Sequence, residues 1–184
     1  REKEPVDVLA LPEKEPGIAL FQGDITRLSA DAIVNAANSQ MLGCFVPGHG
    51  CIDNAIHSAA GLRLRAACYE LMKAQGHEEA TGQAKITPGF ALPARYVMHT
   101  VGPIVRDRVT EKHRQQLRSC YRSCLELARK HQLRSIAFCC ISTGVFHFPR
   151  REAAEIAVNE VRQYQKTHDD APRVIFNVFQ DEDC

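Results

Sequence analysis

The chain has 184 residues, 45% of them hydrophobic and 24% charged, with a formal net charge of +1. That is enough apolar mass for one globular domain with its own core, and so small a charge gives no overall field that selects nucleic acid or a membrane surface. No apolar run approaches the ~18 residues of a membrane span and no charged-then-apolar leader opens the sequence, so the expectation is a cytoplasmic protein.

Residues 1–17 carry Pro5, Pro12 and Pro16 among alternating charges. They read as an N-terminal arm, or the remnant of a longer N-terminal region, outside a domain spanning 18–184. Short runs rich in Val, Ile and Phe predict buried strands at 18–22 (IALFQ), 32–37 (AIVNAA), 84–87 (AKIT), 96–101 (YVMHTV), 135–142 (SIAFCCIS) and 173–179 (RVIFNVF). Between them lie helical patterns. Apolar residues at 52, 55, 56, 59, 60, 64, 67, 68 and 71 follow a 3.6-residue period, with Gly61 as a break or a weak point. A second pattern puts Leu117, Cys120, Tyr121, Cys124, Leu125 and Ala128 on one face, and a third begins near Pro149. Arg150 and Arg151 at the start of that third helix oppose its dipole, which suits residues that face water or an anion. Strand–helix alternation predicts an α/β fold with helices on both faces of a central mixed sheet. The sequence stops five residues after its last strand run, short of the further helix such a sheet would use, so the domain is expected to lack its C-terminal helix.

Four loops follow strand runs, where α/β sheets bind ligands. In QGDIT (22–26), Asp24 suits an Asx-capped turn or an acceptor for an adenine amino group. In NAAN (35–38), Asn35 and Asn38 need polar partners, which a sugar ring could supply, although Asn38-Ser39 also suits a turn. STGVFHFP (142–149) is short of bulk and precedes a helix, so its backbone amides can cradle a diphosphate. It has neither a Walker lysine nor the dinucleotide glycine pattern. Phe179 lies where a ring could stack on a base or simply fill a core.

Taken together, GDIT, DAIVNAAN, AIHSAAG, TGQAKITPGF, RYVMHTVGP, ISTGVF and VIFNVF resemble the macrodomain family, in order and over almost the whole chain from Ile18. The resemblance implies a three-layer α/β/α sandwich that binds ADP-ribose. It places the adenine at Asp24 and the Ile25 backbone, with Phe179 stacked on it. It wraps the diphosphate in Ser142, Thr143, Gly144, Val145 and Phe146, and puts Asn38 at the distal ribose. CIDNAIH also resembles the hydrolytic, MacroD-like members, which implies a catalytic Asp53 and a matching His57. Asn54 replaces the usual glycine there, which would change the backbone angle if a positive φ were needed. Asp53 and His57 are four residues apart, so on a helix they share a face.

GCFVPGHGC (43–51) places Cys44, His49 and Cys51 in one loop. A Cys44–Cys51 bridge is disfavoured in a reducing compartment, and chance placement is the bland reading. Two thiols and an imidazole suit one Zn²⁺ ion, and three protein ligands leave one tetrahedral position open, as in catalytic sites. The set also resembles the zinc-containing macrodomain subgroup. A fourth ligand, from His147 or Asp53, would argue against a catalytic zinc. The remaining cysteines read as buried free thiols.

The function expected is a zinc-dependent protein mono-ADP-ribosyl hydrolase that cleaves the ester between ADP-ribose and an acidic side chain. The zinc would act as a Lewis acid on a ribose hydroxyl or a water, with Asp53 as general base, His57 orienting it and Asn38 fixing the ribose. The alternatives are a non-catalytic ADP-ribose reader and an O-acetyl-ADP-ribose deacetylase. The expected partner is a mono-ADP-ribosylated protein, met by a monomer. Neither a membrane nor nucleic acid is expected, since no basic stripe interleaves with aromatics.

Overall fold

The structure is a computed structural model and describes residues 4–179. Its strands are β1 (Val6–Asp7), β2 (Glu13–Glu15), β3 (Ile18–Gln22), β4 (Leu28–Ser29), β5 (Ala32–Ala37), β6 (Ala84–Pro88), β7 (Tyr96–Val101), β8 (Ser135–Phe138) and β9 (Arg173–Val178). The helices are α1 (Ile52–Ala60), α2 (Leu62–Gln75), α3 (Glu111–Lys130) and α4 (Arg150–Thr167), with α1 and α2 divided at Gly61. Seven strands form one sheet in the order β2-β3-β9-β8-β5-β7-β6. The five central strands are parallel, and β2 and β6 are antiparallel edges. The fold is therefore α/β with a mixed sheet, as expected.

The pleat sorts the side chains. Asn35 pairs with His99, which faces Cys68 of α2 at 3.7 Å, so odd-numbered positions of β5 and β7 look toward α1 and α2. On the opposite face the Tyr121 ring of α3 meets that of Phe138 in β8, their centroids 4.9 Å apart. Every residue of β8 is buried, as are all of β5 except Ala36, which explains why these strands read as continuous apolar runs. In α3 the stripe Leu117, Cys120, Tyr121, Cys124, Leu125 and Ala128 is buried as its spacing predicts, and Thr110 and His113 form a capping box at its start.

Two predicted boundaries shift. The run at 135–142 pairs only to Phe138, because the chain then leaves the sheet to line a cleft. Residues expected to be an arm outside the core contribute to it instead. Val8 is fully buried, and Glu13–Glu15 add β2 to the edge of the main sheet. Three charged residues carry no apolar pattern, so nothing in their sequence marks them as a strand; their charges suit an exposed edge. The expected absence of a helix after Cys184 falls outside the described residues.

Candidate functional site

Because β3, β5, β8 and β9 are parallel, the loops after Gln22, Ala37, Phe138 and Val178 gather at one edge of the sheet. A two-lobed cleft opens there. One lobe, 470 Å³, lies between α4 and the sheet, walled by Leu20, Phe138, Phe176, Ala153 and Ala157. The other, 400 Å³, runs from Phe179 along Ser142–Phe146 to Gly50, Cys51 and Ile52. Cys139, Cys140, Thr143, Arg150 and Asn177 line both. These sizes fall in the range of small-molecule sites.

The loop 142–146 is shaped by strain and close packing. Ser142 (φ 66°) and His147 (φ 59°) both adopt the left-handed conformation, which costs about 1–3 kcal/mol each and needs outside support. Some of that support comes from Phe148 N–H, which donates to the Ser142 carbonyl at 2.9 Å, and from Val105 N–H, which donates to that of Phe146 at 2.8 Å. Gly102 supplies more: a Cβ on it would lie 2.0 Å from Ser142 Oγ. Among the described residues, no amide from Thr143 to Phe146 donates to a backbone carbonyl, which leaves four consecutive N–H groups open to an acceptor from outside the chain. Two buried oxygens on the same wall, Ser142 Oγ and Asn177 Oδ1, have no hydrogen-bond partner there either.

At the Phe179 end, the ring is 71% exposed, which excludes a core role and leaves a face for stacking. Asp24 does form an Asx cap: its Oδ1 accepts from Thr26 N at 3.0 Å and from Thr26 Oγ1 at 2.6 Å. Ile25 is buried. Neither residue lines the cleft, but their loop is tied to its rim, since Gly23 N–H donates to the Val178 carbonyl at 2.8 Å.

At the opposite end, Asn38 builds a turn. Its Oδ1 accepts from Gln40 N and Met41 N, and its Nδ2 donates to the Gly43 carbonyl at 3.2 Å. That turn launches the loop holding Cys44, His49 and Cys51, all half-buried and unbridged, with ligand atoms within 4.8 Å of one another. Cys44 Sγ lies 3.4 Å from His49 Nδ1. Zinc bonds of about 2.0–2.3 Å in a tetrahedron put neighbouring ligand atoms about 3.4–3.8 Å apart, so small side-chain rotations close the set on one zinc ion. Neither Asp53 nor His147 joins the cluster. Cys51 is also the N-cap of α1, its Sγ accepting from Asn54 N–H at 3.4 Å.

Asp53 lies two residues on, 5% exposed and just behind the cleft wall. Asn35 Nδ2 donates to its Oδ1 at 2.8 Å and also lies 3.2 Å from His99 Nδ1. Asn35 Nδ2 thus finds its partners inside the protein rather than in a sugar, while its buried Oδ1 has none among the described residues. His99 is fully buried, with Thr87 Oγ1 at 3.0 Å from its Nε2. Burial pushes His99 down to about 3, so it is neutral, and pushes the Cys68 thiol up to about 12. Burial also raises Asp53 above the usual carboxylate range, against the Asn35 hydrogen bond and the His57 and Arg65 charges, and lowers His57. His57 Nε2 lies 3.4 Å from Asp53 Oδ1, yet neither ring nitrogen has a hydrogen-bond partner among the described residues. The i,i+4 spacing brings the two together as expected, but the bond that orients the carboxylate comes from Asn35. A hydrophilic residue inside a strand as apolar as AIVNAA was the signal for it.

A family model described as Macro domain matches residues 34–157. A protein-ADP-ribose hydrolase of Treponema medium is 54% identical over 164 residues, covering 89% of this chain and 63% of its own. One from Staphylococcus aureus (strain MSSA476) is 54% identical over 173 residues, covering 94% and 65%. The chain therefore spans a little under two thirds of the length of these relatives. A solved Trypanosoma brucei macrodomain in complex with ADP-ribose superposes with a TM-score of 0.83 at 42% identity, covering 98% of this chain and 74% of that one.

Proposed function

The chain belongs to the Macro domain family, and from that premise we propose that it hydrolyses the ester joining ADP-ribose to an acidic side chain of a mono-ADP-ribosylated protein. The observation that carries this reading is the juxtaposition of Asp53, held by Asn35, with the Cys44–His49–Cys51 set at one end of the two-lobed cleft. The relatives' name, protein-ADP-ribose hydrolase, and the ADP-ribose complex of the Trypanosoma brucei macrodomain support it.

In this reading Phe179 stacks on the adenine beside the Asp24–Ile25 loop, and the amides of Thr143 to Phe146 take the diphosphate. The distal ribose lies toward Cys51, over the loop that Asn38 shapes, where one Nδ2 hydrogen of Asn38 remains to donate. Cys44, His49 and Cys51 would hold one zinc ion, which when bound supplies Lewis-acid chemistry at that ribose. Asn35 occupies Asp53 Oδ1, leaving Oδ2 to take the proton of the attacking water. General-base help of this kind is worth ~10²–10⁴-fold. The neighbouring His57 gives Asp53 a titratable, buried neighbour rather than a hydrogen-bonded orienter. Water adds across the ester, so ADP-ribose leaves with a hydroxyl and the side chain as a free carboxylic acid. We place the protein in the cytoplasm as a monomer, where its unbridged thiols stay reduced. Among the described residues no helix is long and apolar enough to cross a membrane.

One observation favours a second reading, a reader that binds without cleaving: Asp53 is buried and does not line the cleft. A peptide carrying ADP-ribose on glutamate separates the two. Hydrolysis releases free ADP-ribose and returns the unmodified peptide mass, stops on chelation, and accompanies about one zinc per chain in metal analysis. Binding without release supports the reader, and release by a chelated, metal-free preparation contradicts the zinc role.

A further inference from the structure

Asn54 stands where the resemblance implies a glycine, yet its backbone needs none. It lies in the first turn of α1 and is not among the residues with positive φ. Its side chain has a different employment. Asn54 Nδ2 donates to the His49 carbonyl at 3.0 Å, while its backbone N–H donates to Cys51 Sγ at 3.4 Å. One residue of a regular helix therefore holds two of the three members of the Cys–His–Cys set.

The His49 peptide needs such a hold. It sits between Gly48 and Gly50, and a Cβ built on either glycine would meet nothing within 4 Å. Neither glycine has a side chain to anchor the chain beside the imidazole. His49 N–H makes one backbone bond, to Val46 at 3.2 Å, within the same loop. Two glycines lose more conformational freedom on ordering than any other pair. Among the described residues, the Asn54 amide is the hydrogen bond that ties the His49 carbonyl to a helix.

We propose that Asn54 is a positioning residue for the metal set: its side-chain amide fixes the His49 peptide against α1 so that the imidazole is already aimed at the position shared with Cys44 and Cys51. The inference rests on the zinc reading above. It gives this chain a reason to have asparagine where glycine would leave the loop unheld.

The test measures metal affinity rather than turnover. Zinc affinity is read by competition with a chromophoric chelator, and the site geometry by the absorption of bound Co²⁺, in the wild-type chain, Asn54→Ala and Asn54→Leu. Alanine favours the helix, and leucine keeps the branched shape without a donor, so either can report if the other perturbs α1. The expected result is zinc binding ~10–100-fold weaker in both variants, the loss typical for residues that orient a metal ligand, with an altered Co²⁺ spectrum and an unchanged metal-free melting temperature. Wild-type binding of one zinc with equal affinity in the variants overturns this inference and leaves the zinc reading standing. So does a weaker affinity matched by a lower metal-free melting temperature, which would make the bond one that serves the fold. No zinc bound by the wild-type chain overturns both.

Discussion

The two ends of the cleft are built from different materials. From Phe179 through Phe146 the walls are an exposed ring, apolar side chains and a run of backbone amides held by left-handed Ser142 and His147. From Gly50 to Asp53 the chemistry resides in a few side chains: two thiols, two imidazoles and a carboxylate, with a buried amide and a buried histidine behind them. In the proposed reading the first end recognises by shape and hydrogen-bond direction, properties spread over many atoms. The second depends on groups that have no substitute. Damage at one end should change how tightly ADP-ribose is held, and damage at the other should change whether anything happens to it.

The largest separation is expected for Cys44→Ser, since Cys44 belongs to the proposed zinc set but does not line the cleft. Ester release should fall by ~10²-fold or more, reflecting several kcal/mol of Lewis-acid help, while calorimetry finds ADP-ribose affinity unaltered. Equal losses in both would break the comparison. Phe179→Ala should do the reverse, weakening ADP-ribose by ~1–3 kcal/mol with release at saturating substrate maintained. Gly102→Ala forces its new methyl onto Ser142. A thermal or denaturant melt should show ~1–3 kcal/mol of destabilisation, and calorimetry a weaker diphosphate grip, with zinc content unchanged. The most gradual effect concerns pH. His99 is held at about 3 when folded, against an ordinary 6.5, so the unfolded chain binds more protons between those values. Its contribution to stability is complete above pH 6.5 and is lost as pH falls toward 3, at up to ~1.4 kcal/mol per pH unit. Denaturant unfolding of His99→Gln across that window should show a correspondingly flatter slope.

The same contrast governs what was legible before the structure. Loops with unused backbone amides announce themselves by position after a strand and by small residues, which is how the open amides of 142–146 were readable. The spacing of Asp53 and His57, and the clustering of Cys44, His49 and Cys51, were equally plain because each lies within one short segment. What the sequence hid was contact between distant segments. Gly102 matters only because Ser142 packs on it, and His99 only because Asn35 and Thr87 reach it from neighbouring strands. Strand β2 was hidden for a related reason: Glu-Lys-Glu has no pattern of its own and becomes a strand by pairing with β3. Asn54 looked like a liability for the backbone, yet its side chain turned out to be the part in use.

The central claim, that binding and bond cleavage reside at separate ends, is tested most directly on Asp53→Asn. This change keeps an oxygen to accept the Asn35 bond and removes the proton acceptor. ADP-ribose affinity by calorimetry and release from a glutamate-linked substrate are measured on one preparation. The account predicts unaltered affinity with release reduced ~10²–10⁴-fold. Release at the wild-type rate, or a loss of affinity as large as the loss of release, would contradict it.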